Sequence, residues 1–433
     1  MKGRTGVREP ARVATLRIER LGARGDGIAD MAGRPVYVAG ALPGELVEVA
    51  LGPPRGDGLA ARLRVVLEAS PTRRPPPCVH FGECGGCALQ HLADDAYGAW
   101  KRQQLAETLA RFALVPAPLM PLVRIAAPTR RRIDLVAERR RGRVGLGFHE
   151  RGSHRIVDIV SCPIMRPGLQ TLLAPLRAVL GAVFEEGTSA DLLATEGDAG
   201  IDLLVRAARS PTLAARQALA GFASANDIAR IAWQEPGQPA EPIVLLRRPA
   251  VSLAGIVVEP PPGAFLQASA EGEAALARAA LALLPSRGRI ADLHAGCGTF
   301  SFAIAMAAPQ VTVRAMEGDG AALDALLAAA RRAGLADRIA GECRDLAANP
   351  PQPAELSRFA AVLFDPPRAG AREVATALAR SAVPRIVAVS CNPTSFARDA
   401  RILVDGGYRL GQVTPIDQFV WSPHLELVAE FSQ

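Results

Sequence analysis

From about residue 264 the chain alternates two hydrophobic rhythms. Short unbroken apolar runs, such as Val362-Leu-Phe364 and Arg385-Ile-Val-Ala-Val-Ser390, alternate with stretches whose apolar residues recur every three or four positions. The runs predict strands buried on both faces, and the stretches predict helices packed against them. The expected order is helix 271–284, strand 289–293, helix 299–307, strand 311–316 and helix 320–333. Strand 360–364, helix 371–380, strand 385–390 and helix 394–404 follow, with two closing strands near 408–414 and 424–431. Repeated βα units make the class α/β with a mostly parallel sheet, and the closing β–β pair allows an antiparallel edge.

The first part of the chain has a different pattern. Residues 11–70 carry short alternating runs separated by glycine turns, among them Arg34-Pro-Val-Tyr-Val38 and Glu45-Leu-Val-Glu-Val49. Closely spaced strands with such turns predict a small β-barrel. Ser70-Pro-Thr-Arg-Arg-Pro-Pro-Pro77 reads as a linker. Tyr97, Trp100, Leu105, Leu109 and Phe112 share one face of a predicted helix over 94–113, which is expected to pack on the C-terminal domain. From about 124 to 262 the pattern is β-rich, with one helix expected from 213 to 225. The domain boundaries are therefore 11–70, 71–263 and 264–433.

Composition sharpens this reading. The 433 residues are 49% hydrophobic, ample for two or three cores. No apolar run approaches a membrane-spanning length, and Met1-Lys-Gly-Arg-Thr-Gly-Val-Arg-Glu-Pro10 lacks the apolar stretch of a signal peptide. A cytoplasmic protein is expected. The net charge of +7 favours polyanionic partners. It is concentrated at Arg62, Arg64, Arg73 and Arg74, at Arg130, Arg131 and Arg132, and at Arg139, Arg140, Arg141 and Arg143. No heptad pattern suggests a coiled-coil partner, so a monomer is the default expectation.

The candidate chemistry falls into four groups. Cys78-x5-Cys84-x2-Cys87, with Cys162 further on, supplies four thiolates suited to tetrahedral zinc or an Fe–S cluster. Three close cysteines and a remote fourth fit [4Fe–4S] better, and the fourth would staple the β-rich segment to the loop. Asp292-Leu-His294-Ala-Gly296-Cys-Gly298 lies between a predicted strand and helix, where glycines let a ligand approach the backbone. Glu317, ending the next strand, is placed to accept ribose hydroxyls, and Asp345 to meet an adenine amino group. Asp292 would repel a pyrophosphate, so a cationic, phosphate-free cofactor, S-adenosylmethionine, fits better than a dinucleotide. Asp365-Pro-Pro-Arg368 ends a third strand with a carboxylate. Cys391 follows the apolar run 385–390, at the strand end where such sheets bind ligands, and Glu426 in the last apolar segment is placed to act there as a base.

Together these motifs closely resemble the RNA 5-methyluridine methyltransferases over nearly the whole chain. Gly25-Asp-Gly-Ile28 and Ala41-Leu-Pro-Gly-Glu45 fit the TRAM domain of the family's barrel-bearing members. The four cysteines match its [4Fe–4S] spacing, and Phe265-Leu-Gln267 matches its uracil-binding segment. Asp365-Pro-Pro-Arg368 matches the signature loop, Ser390-Cys-Asn-Pro393 the nucleophile motif, and His424-Leu-Glu426 the base motif. The resemblance implies a class I, Rossmann-like S-adenosylmethionine-dependent methyltransferase domain, an N-terminal OB-like barrel and a β-rich Fe–S domain.

It also implies the chemistry. Cys391 would attack C6 of uracil, C5 would take the methyl group, and Glu426 would remove the C5 proton. Phe265, Gln267 and Asp365 would hold the base. Gln267, Asp292, His294, Gly296, Gly298, Glu317, Asp345 and Asp365 would line the cofactor site. The barrel together with the cysteine pattern points to 23S rRNA; the alternatives are the same chemistry on tRNA, or a non-catalytic Fe–S RNA-binding protein. Three departures stand out. His294-Ala295 replaces the family's usual Tyr-Cys, Ser269 replaces Asn, and Val420-Trp-Ser422 replaces Pro-x-Thr.

Overall fold

The computed structural model describes residues 12–114 and 118–433; the Met1–Pro10 segment read for a signal peptide lies outside them. The chain forms two compact units. One comprises residues up to Gln104 together with Trp421–Pro423, and the other Leu105–Val420 with His424–Gln433.

In the first unit, β1 (Val13–Arg17), β2 (Arg20–Leu21), β3 (Gly27–Met31), β4 (Arg34–Ala39), β5 (Leu46–Arg55) and β6 (Gly58–Glu68) form one sheet. Its order is β1-β5-β6-β4-β3-β2, and only β4 and β6 run parallel. Alternation decides what it encloses: Val36 and Val38 of β4 and Val47 and Val49 of β5 point inward with Leu16, Ile18 and Ala29. The buried Glu45 is neutralised by Arg73, whose Nε lies 2.5 Å from Oε1, and it also accepts the backbone N–H groups of Leu42 and Ser70. Arg73 thereby ties the proline-rich linker to the barrel. Tyr97 and Trp100 of α1 (Asp94–Arg111) pack with Leu21, Leu42, Leu89 and Leu92.

The second unit opens with β7 (Val123–Arg124) and a seven-stranded sheet. That sheet contains β8 (Arg132–Arg140), β9 (Arg143–His149), β10 (Ile156–Asp158), β11 (Ser189–Gly197), β12 (Gly200–Ala207), β13 (Ile228–Gln234) and β14 (Glu241–Leu245). Its order is β10-β9-β8-β11-β12-β13-β14. Only β12 and β13, joined through α3 (Leu213–Ala225), run parallel. A second helix, α2 (Pro167–Val183), interrupts this segment where the sequence reading expected none. Its Leu169, Leu172, Leu173, Leu176 and Leu180 form one buried face. The hairpin β15 (Val251–Leu253) and β16 (Ile256–Val258) leads on to the last sheet.

That sheet is built from β17 (Arg287–Leu293), β18 (Gln310–Glu317), β19 (Ile339–Cys343), β20 (Ala361–Phe364), β21 (Arg385–Ser390), β22 (Arg409–Asp417) and β23 (Glu426–Ser432). Its order is β19-β18-β17-β20-β21-β23-β22-β7. The first five are parallel, and β23 runs antiparallel between β21 and β22. On one face lie α4 (Ala270–Leu281), α5 (Thr299–Ala307) and α6 (Gly320–Arg332), burying Leu276, Phe302 and Leu326. The short α7 (Pro353–Leu356), α8 (Arg372–Ala379) and α9 (Pro393–Asp405) cover the other face, where Leu105 and Leu109 join the core. Both faces being covered explains the unbroken apolar runs of β20 and β21. The strand order reverses between β17 and β20, which opens a crevice at their carboxyl ends. Among the described residues no helix is long and apolar enough to cross a membrane.

Candidate active site

The residues singled out from β17 onward converge on this carboxyl edge. The turn after β17 is shaped by two backbone amides, as His294 and Ala295 both donate to the Met316 carbonyl at the end of β18. His294 has φ 63° and Gly298 φ 104°. At Gly298 an added Cβ would lie 2.6 Å from the Phe302 ring and 3.0 Å from Leu326, so only glycine fits. Glu317 closes the loop: its Oε2 accepts the Gly296 N–H at 2.8 Å and its Oε1 the Asp319 N–H at 2.8 Å. Asp345 lies exposed beyond β19, accepting the N–H groups of Ala347 and Ala348, which hold its carboxyl below the usual range.

Asp292 differs from the other expected cofactor ligands. It has no exposed surface, accepts the Ser301 hydroxyl at 2.6 Å, and is pushed by burial up to about 7. It holds the loop from beneath. Burial depresses the His294 imidazole, while the nearby Glu317 and Asp345 carboxylates oppose that effect. The departure to His294 therefore puts a polar ring, with Nε2 buried and unpaired, in the crevice. The neighbouring Ala295 is packed in the core.

The second half of the site is set by sheet register. The β21–β23 ladder ends at Ser390 opposite Leu427. Cys391 follows β21 and Glu426 begins β23, close enough for the Glu426 carboxylate to act on the Cys391 thiol. Asn392 caps α9 by accepting the Thr394 N–H, and its Nδ2 donates to the Arg368 carbonyl at 3.0 Å. Ser395 Oγ donates to the same carbonyl at 3.0 Å, so the nucleophile motif fixes the Asp365–Arg368 loop. Arg368 Nη2 in turn lies 3.3 Å from His424 Nδ1. Burial, reinforced by the carboxylates of Glu426 and Asp365, pushes the Cys391 thiol up to about 11. Glu426 is 3% exposed, and burial raises it to about 7 against a hydrogen bond from Gln418. Asp365 is driven well above the carboxylate range by burial and then by Glu426 and Asp292.

Gln267 completes the group. Its Nε2 donates to Asp365 Oδ2 at 3.2 Å and its Oε1 accepts from Gln418 Nε2 at 2.8 Å. The buried Arg131 holds it from behind, with Nε 3.2 Å from the Gln267 carbonyl and Nη2 2.6 Å from Glu273. Ser269, the departure from Asn, caps α4 by accepting the Gly272 N–H at 3.0 Å, a role either residue fills. Phe265 is 65% exposed beneath the Arg132 guanidinium. Two participants escaped the sequence reading: Arg131, hidden in a basic run, and Gln418, marked only by being polar at the end of an apolar strand.

The cysteine group is divided between the units: Cys78, Cys84 and Cys87 in the first, Cys162 in the second. All four are half-buried. Among the described residues no three His, Cys, Asp or Glu side chains are arranged to hold a metal ion.

Comparison with known proteins agrees with this architecture. Residues 8–51 match the TRAM domain, and residues 354–430 match the tRNA (uracil-5-)-methyltransferase family. An uncharacterised RNA methyltransferase of Brucella suis is 41% identical over 97% of this chain and 98% of its own. The 23S rRNA (uracil(1939)-C(5))-methyltransferase RlmD of Chromohalobacter salexigens is 36% identical over 98% of this chain and 90% of its own. The crystal structure of the Pyrococcus abyssi tRNA (uracil-54, C5)-methyltransferase, in complex with S-adenosyl-L-homocysteine, shares the fold. Its TM-score is 0.75 at 22% identity, over 96% of this chain and all of that one. The chain thus belongs to the S-adenosylmethionine-dependent RNA uracil-C5 methyltransferase family.

Proposed function

We propose that the chain forms 5-methyluridine in 23S rRNA, with Cys391 as nucleophile and Glu426 as general base. The observation that carries this reading is the grouping of the Cys391 thiol with the Glu426 and Asp365 carboxylates at the ends of β21, β23 and β20, with Gln267 bonded to Asp365. C5 of uracil is too weak a nucleophile to take a methyl group unaided. The Cys391 thiolate forms a bond to C6, and the ring electrons move onto the C4 carbonyl as an enolate. C5 then takes the methyl group that S-adenosylmethionine supplies. Glu426 removes the C5 proton, the C6–S bond breaks, and the thiolate is released. Asp365, which burial favours in its protonated form, donates to a pyrimidine carbonyl, while its other oxygen accepts from Gln267. Glu317, Asp345 and His294 flank the cofactor's ribose and adenine, and Gly296 and Gly298 give it backbone to lie on. Asp292 supports that loop, and Phe265 stacks on the target base.

A uridine inside folded RNA must leave its stack to reach Cys391. The arginine-rich barrel and β8–β9 hairpin supply phosphate contacts for that step. The rRNA preference rests on the identity to RlmD along nearly the whole chain. Cys78, Cys84, Cys87 and Cys162 are the ligands of a [4Fe–4S] cluster. Four thiols suit that group, and the Gly86 N–H lies 3.5 Å from Cys84 Sγ, a contact that supports a thiolate. Reduced thiols with an RNA substrate fit a cytoplasmic setting.

One preparation tests these points. The anaerobically purified chain alone is incubated with methyl-labelled S-adenosylmethionine and undermodified total RNA, and its iron and sulfide are assayed. Label in 5-methyluridine of the large ribosomal RNA is expected, with about four irons per chain. Label confined to tRNA would overturn the substrate, absence of label the activity, and iron-free active protein the cluster.

A further inference from the structure

The Asp365–Gln267–Gln418–Glu426 chain of hydrogen bonds has a direction, and one residue sets it. Gln418, 5% exposed just past β22, has a single amide nitrogen facing two acceptors. Gln267 Oε1 lies 2.8 Å from it and Glu426 Oε1 3.1 Å. An amide NH2 has two hydrogens, and both are used. Turned over, Gln418 would oppose its own oxygen to those two acceptors. Its Oε1 is buried with no hydrogen-bond partner, so the two contacts of the nitrogen alone decide the orientation.

That choice passes to Gln267. With Oε1 committed to Gln418, its NH2 faces Asp365 and the crevice. The pyrimidine edges have opposite polarity. Uracil offers a carbonyl at C4 and an N–H at N3, whereas cytosine offers an amino group at C4 and a bare nitrogen at N3. A Gln267 amide held in this orientation meets the uracil carbonyl with a donor. A Gln267 free to turn over would accept equally well from a cytosine amino group. The second hydrogen of Gln418 favours the ionised form of Glu426, the form that acts as base.

We propose that Gln418 is a positioning and specificity residue that locks the Gln267 amide in the uracil-reading orientation and holds Glu426 ready as base. The inference rests on the proposed roles of Gln267 and Glu426. The fold reserves space for it. At Gly272, in the first turn of α4, a Cβ would lie 2.5 Å from Gln418 Oε1 and 2.8 Å from its Cβ. Any larger residue there would displace the amide.

Two variants reach the same relay from different sides. Gln418→Met removes both donors at similar volume, and Gly272→Ala pushes the amide aside without altering its chemistry. Each is compared with the parent chain on uridine- and cytidine-bearing target oligonucleotides, with the kcat profile taken from pH 5.5 to 9. In both variants the acid limb of kcat should move up by about one pH unit, as expected for loss of one hydrogen bond to a charged group. Uridine-over-cytidine discrimination in covalent adduct formation should fall about tenfold, with S-adenosylhomocysteine binding unchanged. A merely structural residue would lower the melting temperature and leave limb and discrimination in place, and that result overturns the inference. If one variant does not fold, the other decides. A parent chain that methylates no uridine sinks the functional reading itself, a different outcome from an active parent whose variants keep its profile.

Discussion

At the scale of single residues, burial is what makes Glu426 a usable base. Its carboxyl is raised from its ordinary 4.5 to about 7, so near neutrality it takes up a proton readily yet is ionised in half the molecules. A base must start ionised, so Glu426 should put a break in the kcat profile near pH 7, and the Cys391 thiol, pushed up to about 11, should keep the profile rising above that break. Glu426→Gln should lower turnover by about 10²–10⁴-fold and trap methylated RNA on Cys391, visible as a shifted band on denaturing gels. No adduct with an otherwise intact protein would remove Glu426 from the base role. Stability carries the same signature. A carboxyl whose folded pKa is raised stabilises the fold fully below its unfolded value, and that contribution is lost as pH rises through about 7. The parent's melting temperature should therefore fall between pH 5 and 7.5 more steeply than that of Glu426→Gln. The difference corresponds to about 1.4 kcal/mol per unit of pKa shift.

At the scale of elements, the parallel sheet and its strand ends were legible because residues buried on both faces leave unbroken apolar runs. Cys391 and Glu426 could be placed at one edge from those runs alone. The pairing that brings their strands side by side could not, since β21 and β23 are segments whose order in the sheet differs from their order in the chain. The helix α2 was obscured in another way. Its apolar spacing is present, but Pro175 argues against a helix, and the structure keeps it inside one, while Pro167 sits at the first helical position, where proline is favoured. β19 is short and contains Gly341, so its pattern is weak. The relay through Gln418 was invisible because polar side chains leave no periodic trace. The Gly-x-Gly turn was legible as a turn, and the structure adds why the second glycine is required. Gly298→Ala, with φ 104° and a Cβ 2.6 Å from Phe302, should cost about 2–3 kcal/mol and weaken S-adenosylhomocysteine binding. Calorimetry reads both effects, and unchanged binding would separate the turn from the cofactor site.

At the scale of the whole molecule, the net charge of +7 matters through its chemistry as much as its sign. Apart from Lys2 and Lys101, every basic residue counted in it is arginine, whose planar fork both pairs with phosphate and stacks on bases. Many of these arginines are already engaged inside the protein, as Arg73 is with Glu45 and Arg131 with Glu273. The total charge therefore overstates what RNA can meet. The turn between β8 and β9 is different: Arg140, Arg141 and Arg143 are all exposed there. If these side chains neutralise phosphates, each contact releases counterions, and log affinity falls with log salt by about 0.7 per phosphate on single-stranded RNA. Replacing Arg140 and Arg143 together by Gln should weaken RNA binding at low salt. It should also flatten that slope by about 1.4, twice the single-contact value. Because the turn lies outside the reacting group, kcat at saturating RNA and the acid limb near pH 7 should stay where the parent has them. Filter binding across a salt series measures the slope. A parallel loss of affinity at every salt concentration, with the slope preserved, would assign these arginines to shape or stacking contacts instead of phosphates.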